Sequence, residues 1–578
     1  MYTGCVDATL NGFGFEFGKA KGMRKPVWIF LTTSLVLLLA ILASALTLRW
    51  HAGVTPPIFK VELDGAATKP VSGRLLLFAT EATAARKAAK NGKVESVDAD
   101  PLYPMRTAVA SREVSRLAPQ QSVTIDTDNQ AFPMSFSKLP SGEYLLQAVL
   151  DLDHNYNYSG RSPGDLVSPV ISVHLPAITP STLRLVRVQP EPYPWQLTSA
   201  PDLQAAAPDA RAHSTPIDMI SPMLSAFWGR PIHIRGWVLV PPGYEADGKT
   251  RYPTVYYTHG YGGNEDRLLN ALVGVHLAMR KGEMPPMIWV FLDQSGPTGT
   301  QEFADSVNNG PWGSALTQEF IPRLESHYRM DARASGRFLT GHSSGGWATL
   351  WLQTTYPKLF GGTWSTSPDP VDFHDFSGVD LYAPKANLYR KPDGTLWPLE
   401  RLNGKVQGTF EDSARLERVL GTYGGQMSSY EWVFSPRGDD GRPTLLFDRD
   451  TGAVDPTVAA YWCAHYDIAR RIRTDWPQLK HDLDGKIHVV VGTADTYYLD
   501  GAVHKLQAVM DGLHAKADFR YLPGKNHGDL YIQGDDPRAL LKQFSWAMYA
   551  VARPHSALHA PIALTQPAAS ASVSSAAR

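Results

Sequence analysis

The sequence predicts an α/β protein: a mostly parallel sheet with helices on both faces, interrupted by a cap-like insertion and preceded by an all-β sandwich. Three observations predict it. Over residues 221–553, short apolar runs alternate with helical stretches, the pattern of β-α-β units. Over residues 55–188, short partly alternating runs rich in Val, Leu and Thr are punctuated by Gly, Pro, Asn and Asp. Between about 376 and 483 the alternation breaks into a block rich in Trp, Tyr, Arg and Gly.

The composition narrows the classes. The 578 residues carry 55 Lys+Arg against 56 Asp+Glu, a net charge of −1, so no nucleic-acid partner is expected. With 43% hydrophobic residues there is material for more than one core, and bulk disorder is disfavoured. The two cysteines, Cys5 and Cys463, exclude a disulfide framework and any multi-cysteine metal module.

Residues 27–48 form an uncharged apolar run, VWIFLTTSLVLLLAILASALTL. As a helix it would be about 33 Å long, enough to cross a bilayer core. Lys19, Lys21, Arg24 and Lys25 precede it, which places a basic segment, residues 1–26, in the cytoplasm and the rest outside. A retained signal anchor is the first reading. A cleavable signal peptide starting at Met23, with Ala43-Ser44-Ala45 as the cleavage site, is the alternative. Either way the bulk of the chain is expected to be extracytoplasmic, periplasmic or at the cell surface.

Within the β-rich part, SGRLLLFAT, QSVTIDT, GEYLLQAVLDL, SPVISVHLP and TLRLVRVQ read as strands, and EATAARKAAKNG as a single helix. The stretch from Asp151 to Ser159 alternates oxygen-bearing side chains. It lacks the central glycine and terminal glutamate of a calcium loop, so a polar hairpin loop is the preferred reading. Residues 189–220, rich in Pro, Ala and Asp, read as a linker, and residues 554–578 as a disordered tail.

In the α/β part, IHIRGWVLV, TVYYTHG, MIWVFLD, RFLTG, GGTWST, IHVVVG and DFRYLP are strand-like, with helical stretches between several of them. The sharpest motif follows RFLTG: Gly341-His342-Ser343-Ser344-Gly345, then Gly346 and the helical GWATLWLQTTY. A strand, a tight glycine-flanked turn and a helix form the setting of a nucleophile elbow, with Ser343 exposed at the top of the sheet. The Ser344 N–H, at the first turn of the helix, is the expected oxyanion donor. A serine hydroxyl needs a base, and the base an orienting acid. Asp495 follows the strand IHVVVG and His527 follows DFRYLP, so both stand at carboxyl ends of late strands, where α/β sheets open crevices. Asp500 is the competing acid; His504 and His514 fall within a predicted helix. The glycine-rich loop after Thr254-Val255-Tyr256-Tyr257-Thr258-His259 should supply the second oxyanion N–H, from Tyr261 or, alternatively, Gly260.

With these residues in view, about residues 221–550 resemble the putative-esterase family of α/β-hydrolases, which includes esterase D, feruloyl esterases, enterochelin esterases and the antigen 85 mycolyltransferases. The matching pieces are Val238-Leu239-Val240-Pro241-Pro242-Gly243-Tyr244, Tyr252-Pro253, His259-Gly260, Phe303-Ala304-Asp305-Ser306, Asn309-Gly310-Pro311, the elbow, Asp495 and His527. The resemblance implies an α/β-hydrolase fold and an ester hydrolase, or an acyltransferase with the same triad, acting on a small-molecule or polymer-linked ester with no metal or organic cofactor. The family core has a shorter gap between serine and acid than the 152 positions here, which points again to an insertion. From another class, a non-catalytic binding protein on a hydrolase scaffold is the rival reading. The loop Trp364-Ser365-Thr366-Ser367-Pro368-Asp369-Pro370 should border the site. The insertion aromatics Trp397, Tyr423, Tyr430, Trp432 and Trp462 are read as the insertion's own core, with capping of the site as the alternative.

Overall fold

The computed structural model describes residues 57–561, except 66, 101–102, 177–180, 192, 194, 196–199 and 247. The apolar run 27–48, the basic segment before it and residues 562–578 lie outside the described residues. Among the described residues, no helix is long and apolar enough to cross a membrane.

The functional half is built on an eight-stranded sheet. In spatial order its strands are Ser214–Ile220, His233–Leu239, Ile288–Leu292, Thr254–Thr258, Arg337–His342, Gly362–Thr366, Ile487–Gly492 and Ala517–Leu522. The first two pair antiparallel, the second runs antiparallel to the third, and every later pair is parallel. Parallel neighbours need crossovers, and the crossovers put helices on the faces. The strand IWVFL therefore has no exposed face. Trp289 and Phe291 pack under helices Glu265–Arg280 and Ala539–Ala552, while Ile288, Val290 and Leu292 pack under the chain 312–327 and the elbow helix Ser344–Thr355.

One expectation is corrected here. The segment 189–220 is not a linker throughout. Helix Pro201–Ala212 packs on Glu265–Arg280, and Ser214–Ile220 is the edge strand of the main sheet. The strand carries Pro216 and an irregular burial pattern, features that an edge tolerates because one side makes no ladder.

The β-rich region forms a three-stranded sheet (Ser122–Asp126, Ile58–Leu63, Thr182–Leu185) against a seven-stranded one centred on Val71–Glu81, Thr107–Leu117 and Gly142–Asp151. Side chains alternate across each strand. On Val71–Glu81, Leu75, Leu77 and Ala79 meet Phe59, Val61 and Leu63 between the sheets. Leu76 and Phe78 point the other way, to Val109, Phe132 and Val149, and then to Leu416, Val419 and Leu420 of the insertion helix Phe410–Leu420. Both faces of this sheet are covered, which explains the unbroken LLLFAT. Arg74, 5% exposed, ends that contact: its guanidinium donates to the carbonyls of Val419 and Arg418, satisfying the helix C-terminus with a cation.

The insertion holds a hairpin (Pro398–Leu402 with Lys405–Thr409) and the helices Phe410–Leu420, Gln426–Phe434, Pro456–Tyr466 and Ile468–Leu483. Its aromatics do not build a separate core. Trp462, Tyr430 and Phe434 join Trp347 and Trp351 of the elbow helix and Val489 and Val491 of the sheet in one cluster. Trp347 and Phe434 ring centroids are 4.8 Å apart. Tyr423 and Trp432 instead line a cavity of about 460 Å³ beside Arg418, Arg442 and Arg449.

Candidate active site

Ser343 sits between the strand Arg337–His342 and the helix Ser344–Thr355 with φ 59° and ψ −125°. Such a setting costs a non-glycine residue about 1–3 kcal/mol and persists only where the surroundings enforce it. They do. The Ser343 N–H donates to Thr366 O at 3.0 Å, and the Asp369 N–H donates to Ser343 O at 3.2 Å. The flanking glycines are steric requirements: a Cβ on Gly341 would lie 2.3 Å from Gly345 O, and one on Gly345 would lie 2.5 Å from His259 O. Helix, strand and neighbouring loop are thus in backbone contact around the serine.

The loop after Thr254–Thr258 closes on the same point. A Cβ on Gly260 would come within 3.0 Å of Ser343 Cβ and 3.6 Å of its Oγ, so the backbone carrying Tyr261 passes beside the hydroxyl. Three side chains brace this loop. His259 bonds Asp293 through Nε2 at 2.9 Å. The Tyr261 hydroxyl lies 2.7 Å from Gly424 O and 2.8 Å from Asn157 O, the two carbonyls between which its one proton is directed, while the Tyr158 hydroxyl donates to Gly263 O at 2.8 Å. The Tyr158 and Tyr261 rings meet edge to face at 5.3 Å. Burial holds the Tyr261 phenol well above its ordinary pKa, so it stays protonated and donating.

Asp495 and His527 meet. His527 Nδ1 lies 2.9 Å from Asp495 Oδ2. Asp495 is fully buried, and its Oδ1 accepts from the Tyr497 N–H at 2.9 Å. Burial alone would raise its pKa, but the charge and hydrogen bond of His527 and the Tyr497 N–H outweigh it, and the carboxyl is held below its ordinary value. The His527 ring is packed between His342 (centroids 4.3 Å apart) and Tyr497 (5.0 Å), which fixes its plane. Burial pushes His342 down to about 3, so it is a neutral wall. Asp500, the competing acid, is engaged elsewhere, with Arg401 Nη2 3.1 Å from its Oδ1.

The Ser343 hydroxyl is not turned toward His527 in this structure. Its Oγ lies 3.3 Å from Asp369 Oδ1, and the Ser344 hydroxyl donates to Asp369 Oδ2 at 2.5 Å. Asp369 belongs to the loop expected to border the site, but its direct contact with the nucleophile candidate was not foreseen. Its one sequence signal is its place just after the strand beside the elbow. The segment from Asp151 to Ser159 is a structured loop. Asp151 accepts from the N–H groups of Asn155 and Tyr156, and a short helix, Tyr156–Ser159, supplies the Tyr158 brace.

Residues 225–528, more than half of the chain, match the family model described as putative esterase. The chain belongs to this esterase family. An esterase of Mycobacterium tuberculosis strain H37Rv is 27% identical over 213 residues, 35% of this chain and 46% of that protein, and an esterase of strain CDC 1551 matches to the same extent. The chain thus spans about half the length of the curated relatives it matches. Among solved structures, a ferulic acid esterase is similar at 14% identity, over 59% of this chain and 97% of the other, with a TM-score of 0.35. An S-formylglutathione hydrolase from Agrobacterium tumefaciens is similar at 16% identity, over 57% and 94%, with a TM-score of 0.33.

Proposed function

We propose that this family member hydrolyses carboxylic esters of small molecules through an acyl-enzyme on Ser343, outside the cytoplasm, held at the membrane or exported by residues 27–48. The observation that carries the reading is the 2.9 Å pairing of His527 with buried Asp495 at the carboxyl ends of the sheet strands, where strained Ser343 stands.

In this mechanism the Ser343 side chain rotates from Asp369 toward His527. Nδ1 of His527 is committed to Asp495, so Nε2 takes the hydroxyl proton as Oγ attacks the ester carbonyl. Asp495 keeps the imidazole in that tautomer and stabilises the imidazolium. The N–H groups of Ser344 and Tyr261 receive the oxyanion, one at the helix start and one from the braced loop. His527 then gives the proton to the departing alcohol oxygen. Water, deprotonated by the same Nε2, attacks the acyl-enzyme, and the acid leaves as Ser343 regains its proton.

Turnover of p-nitrophenyl butyrate by Ser343→Ala is the test. Loss of activity to the level of buffer is expected; turnover equal to the unaltered protein rejects the nucleophile.

A further inference from the structure

Helix Pro201–Ala212 packs on helix Glu265–Arg280 mainly through apolar side chains: Leu203, Ala207 and Ala210 share one cluster with Leu272, Val275 and Met279. One polar group interrupts the contact. Asp209 and His213 are four positions apart and so share a face of the first helix, with His213 at its C-cap, and His276 comes from the second helix. One nitrogen of each imidazole and one carboxylate oxygen of Asp209 lie within 4.8 Å of one another. Asp209 Oδ2 is 2.8 Å from His276 Nε2, and Oδ1 is 3.5 Å from His213 Nδ1. The two ring centroids are 4.9 Å apart.

His276 is 1% exposed, and its Nδ1 is buried with no hydrogen-bond partner among the described residues. Buried polar atoms are nearly always paired. No second hydrogen bond therefore commits the ring to carrying its proton on Nε2. With the proton on Nδ1, Nε2 presents a lone pair to the carboxylate, and two lone-pair atoms 2.8 Å apart call for a cation between them. Arg280 Nη1, 2.6 Å from Asp209 Oδ2, brings charge to the carboxylate, but among the described residues its guanidinium is hydrogen-bonded to neither imidazole. Oδ1 is left for an ion, with Arg280 kept on Oδ2 as an outer partner. His213 Nδ1 also lies 2.8 Å from the Asp209 carbonyl oxygen, the kind of outer hydrogen bond that metal-bound imidazoles keep. Asp209 and His213 are partly exposed, so the group opens to solvent on one side.

We propose that Asp209, His213 and His276 hold a zinc-type divalent ion that staples helix Pro201–Ala212 to helix Glu265–Arg280. Two imidazoles and one carboxylate suit a borderline ion better than calcium or magnesium, and water completes the tetrahedron. Zinc at about 2.0–2.2 Å from each donor sets the donors about 3.3 Å apart, so side-chain rotation alone closes the triangle. The edge strand Ser214–Ile220 starts directly after His213, so the ion also anchors the entry to the main sheet. This site is independent of the reading of Ser343 as nucleophile.

The experiment uses the full chain in detergent, stripped with a chelator and dialysed, then titrated with zinc chloride by calorimetry and with cobalt chloride by visible absorption. The expected result is one equivalent of zinc bound with a Kd in the micromolar range or tighter, a higher Tm in its presence, and no displacement by excess magnesium. Asp209→Asn and His213→Gln are each expected to weaken zinc about a hundredfold or more and to abolish the cobalt band, because each removes one donor. Arg280→Gln, which removes an outer partner only, should stay within about tenfold. His276→Gln should match the other two donor variants; if that buried substitution prevents folding, the partly exposed Asp209 and His213 decide. Absence of a stoichiometric zinc site in the unaltered protein overturns the proposal. So does a Kd that Asp209→Asn and His213→Gln leave unchanged, which would place the zinc on others of the 18 histidines.

Discussion

Asp495→Asn isolates the orienting acid with almost no change of volume, and the structure fixes which way the amide must face. Oδ1 of Asp495 is taken by the Tyr497 N–H at 2.9 Å, so the amide oxygen of the variant belongs there. Its NH₂ then replaces Oδ2, the atom 2.9 Å from His527 Nδ1. A donor at that point forces Nδ1 to be the acceptor and places the imidazole proton on Nε2, aimed at the serine it should deprotonate. The expected loss in kcat is about 10⁴-fold, roughly 5.5 kcal/mol of barrier. The assay is kcat/KM for p-nitrophenyl butyrate, with Asp500→Asn alongside. Arg401 holds Asp500 at 3.1 Å, so that variant should stay within about threefold. The fold itself should register the change in acid. The Asp495 carboxyl is held below its ordinary value, so its stabilisation is present above about pH 4 and is lost as pH falls through the folded value. The melting temperature of Asp495→Asn should lack that part of the acid dependence. Retention by Asp495→Asn of more than a tenth of the activity, or collapse of Asp500→Asn, would refute the assignment.

Two further predictions concern the supports of the site. Tyr158→Phe removes the hydroxyl on Gly263 O and leaves a buried carbonyl unpaired, which should cost about 1–3 kcal/mol of stability and lower kcat several-fold at constant KM; a thermal melt with steady-state kinetics checks both, and an unchanged kcat would detach the brace from the chemistry. Glu400, 5% exposed, has its carboxyl pushed up to about 8, chiefly by burial. Its native form holds a proton that the unfolded form releases near pH 4, so it costs stability progressively as pH rises from 4 to 8; Glu400→Gln should therefore gain melting temperature over the unaltered protein at pH 9 and lose that gain at pH 4, and equal melting curves at pH 9 would contradict the buried charge.

The elbow was legible because its constraints are local. Gly341 and Gly345 are set by backbone atoms within a few residues or on the adjacent strand, and the apolar runs on either side mark strand and helix. Asp495 and His527 were readable for a related reason: each stands a few residues beyond the end of a strand, and in this topology strand ends converge. The edge strand Ser214–Ile220 was hidden because its stabilisation comes from the ladder with His233–Leu239, and its exposed side chains carry little apolar signal. Asp369 meets Ser343 only through the packing of its loop against the elbow, so no spacing announces it. The insertion aromatics were assigned to a local core because composition reveals that rings will be buried, but not against what. Phe434 of the insertion meets Trp347 on the helix that carries the elbow, whereas Tyr423 and Trp432 line a separate cavity.

The double-sided burial of the seven-stranded sheet has a practical corollary for anyone preparing this protein. The family match, 225–528, is not a folding unit. Cutting there would discard the edge strand Ser214–Ile220 and the final helix Ala539–Ala552, and would strip Leu416, Val419 and Leu420 of their cover. Truncation there would leave an oily face that favours clumping, so expression boundaries belong outside residues 57 and 553.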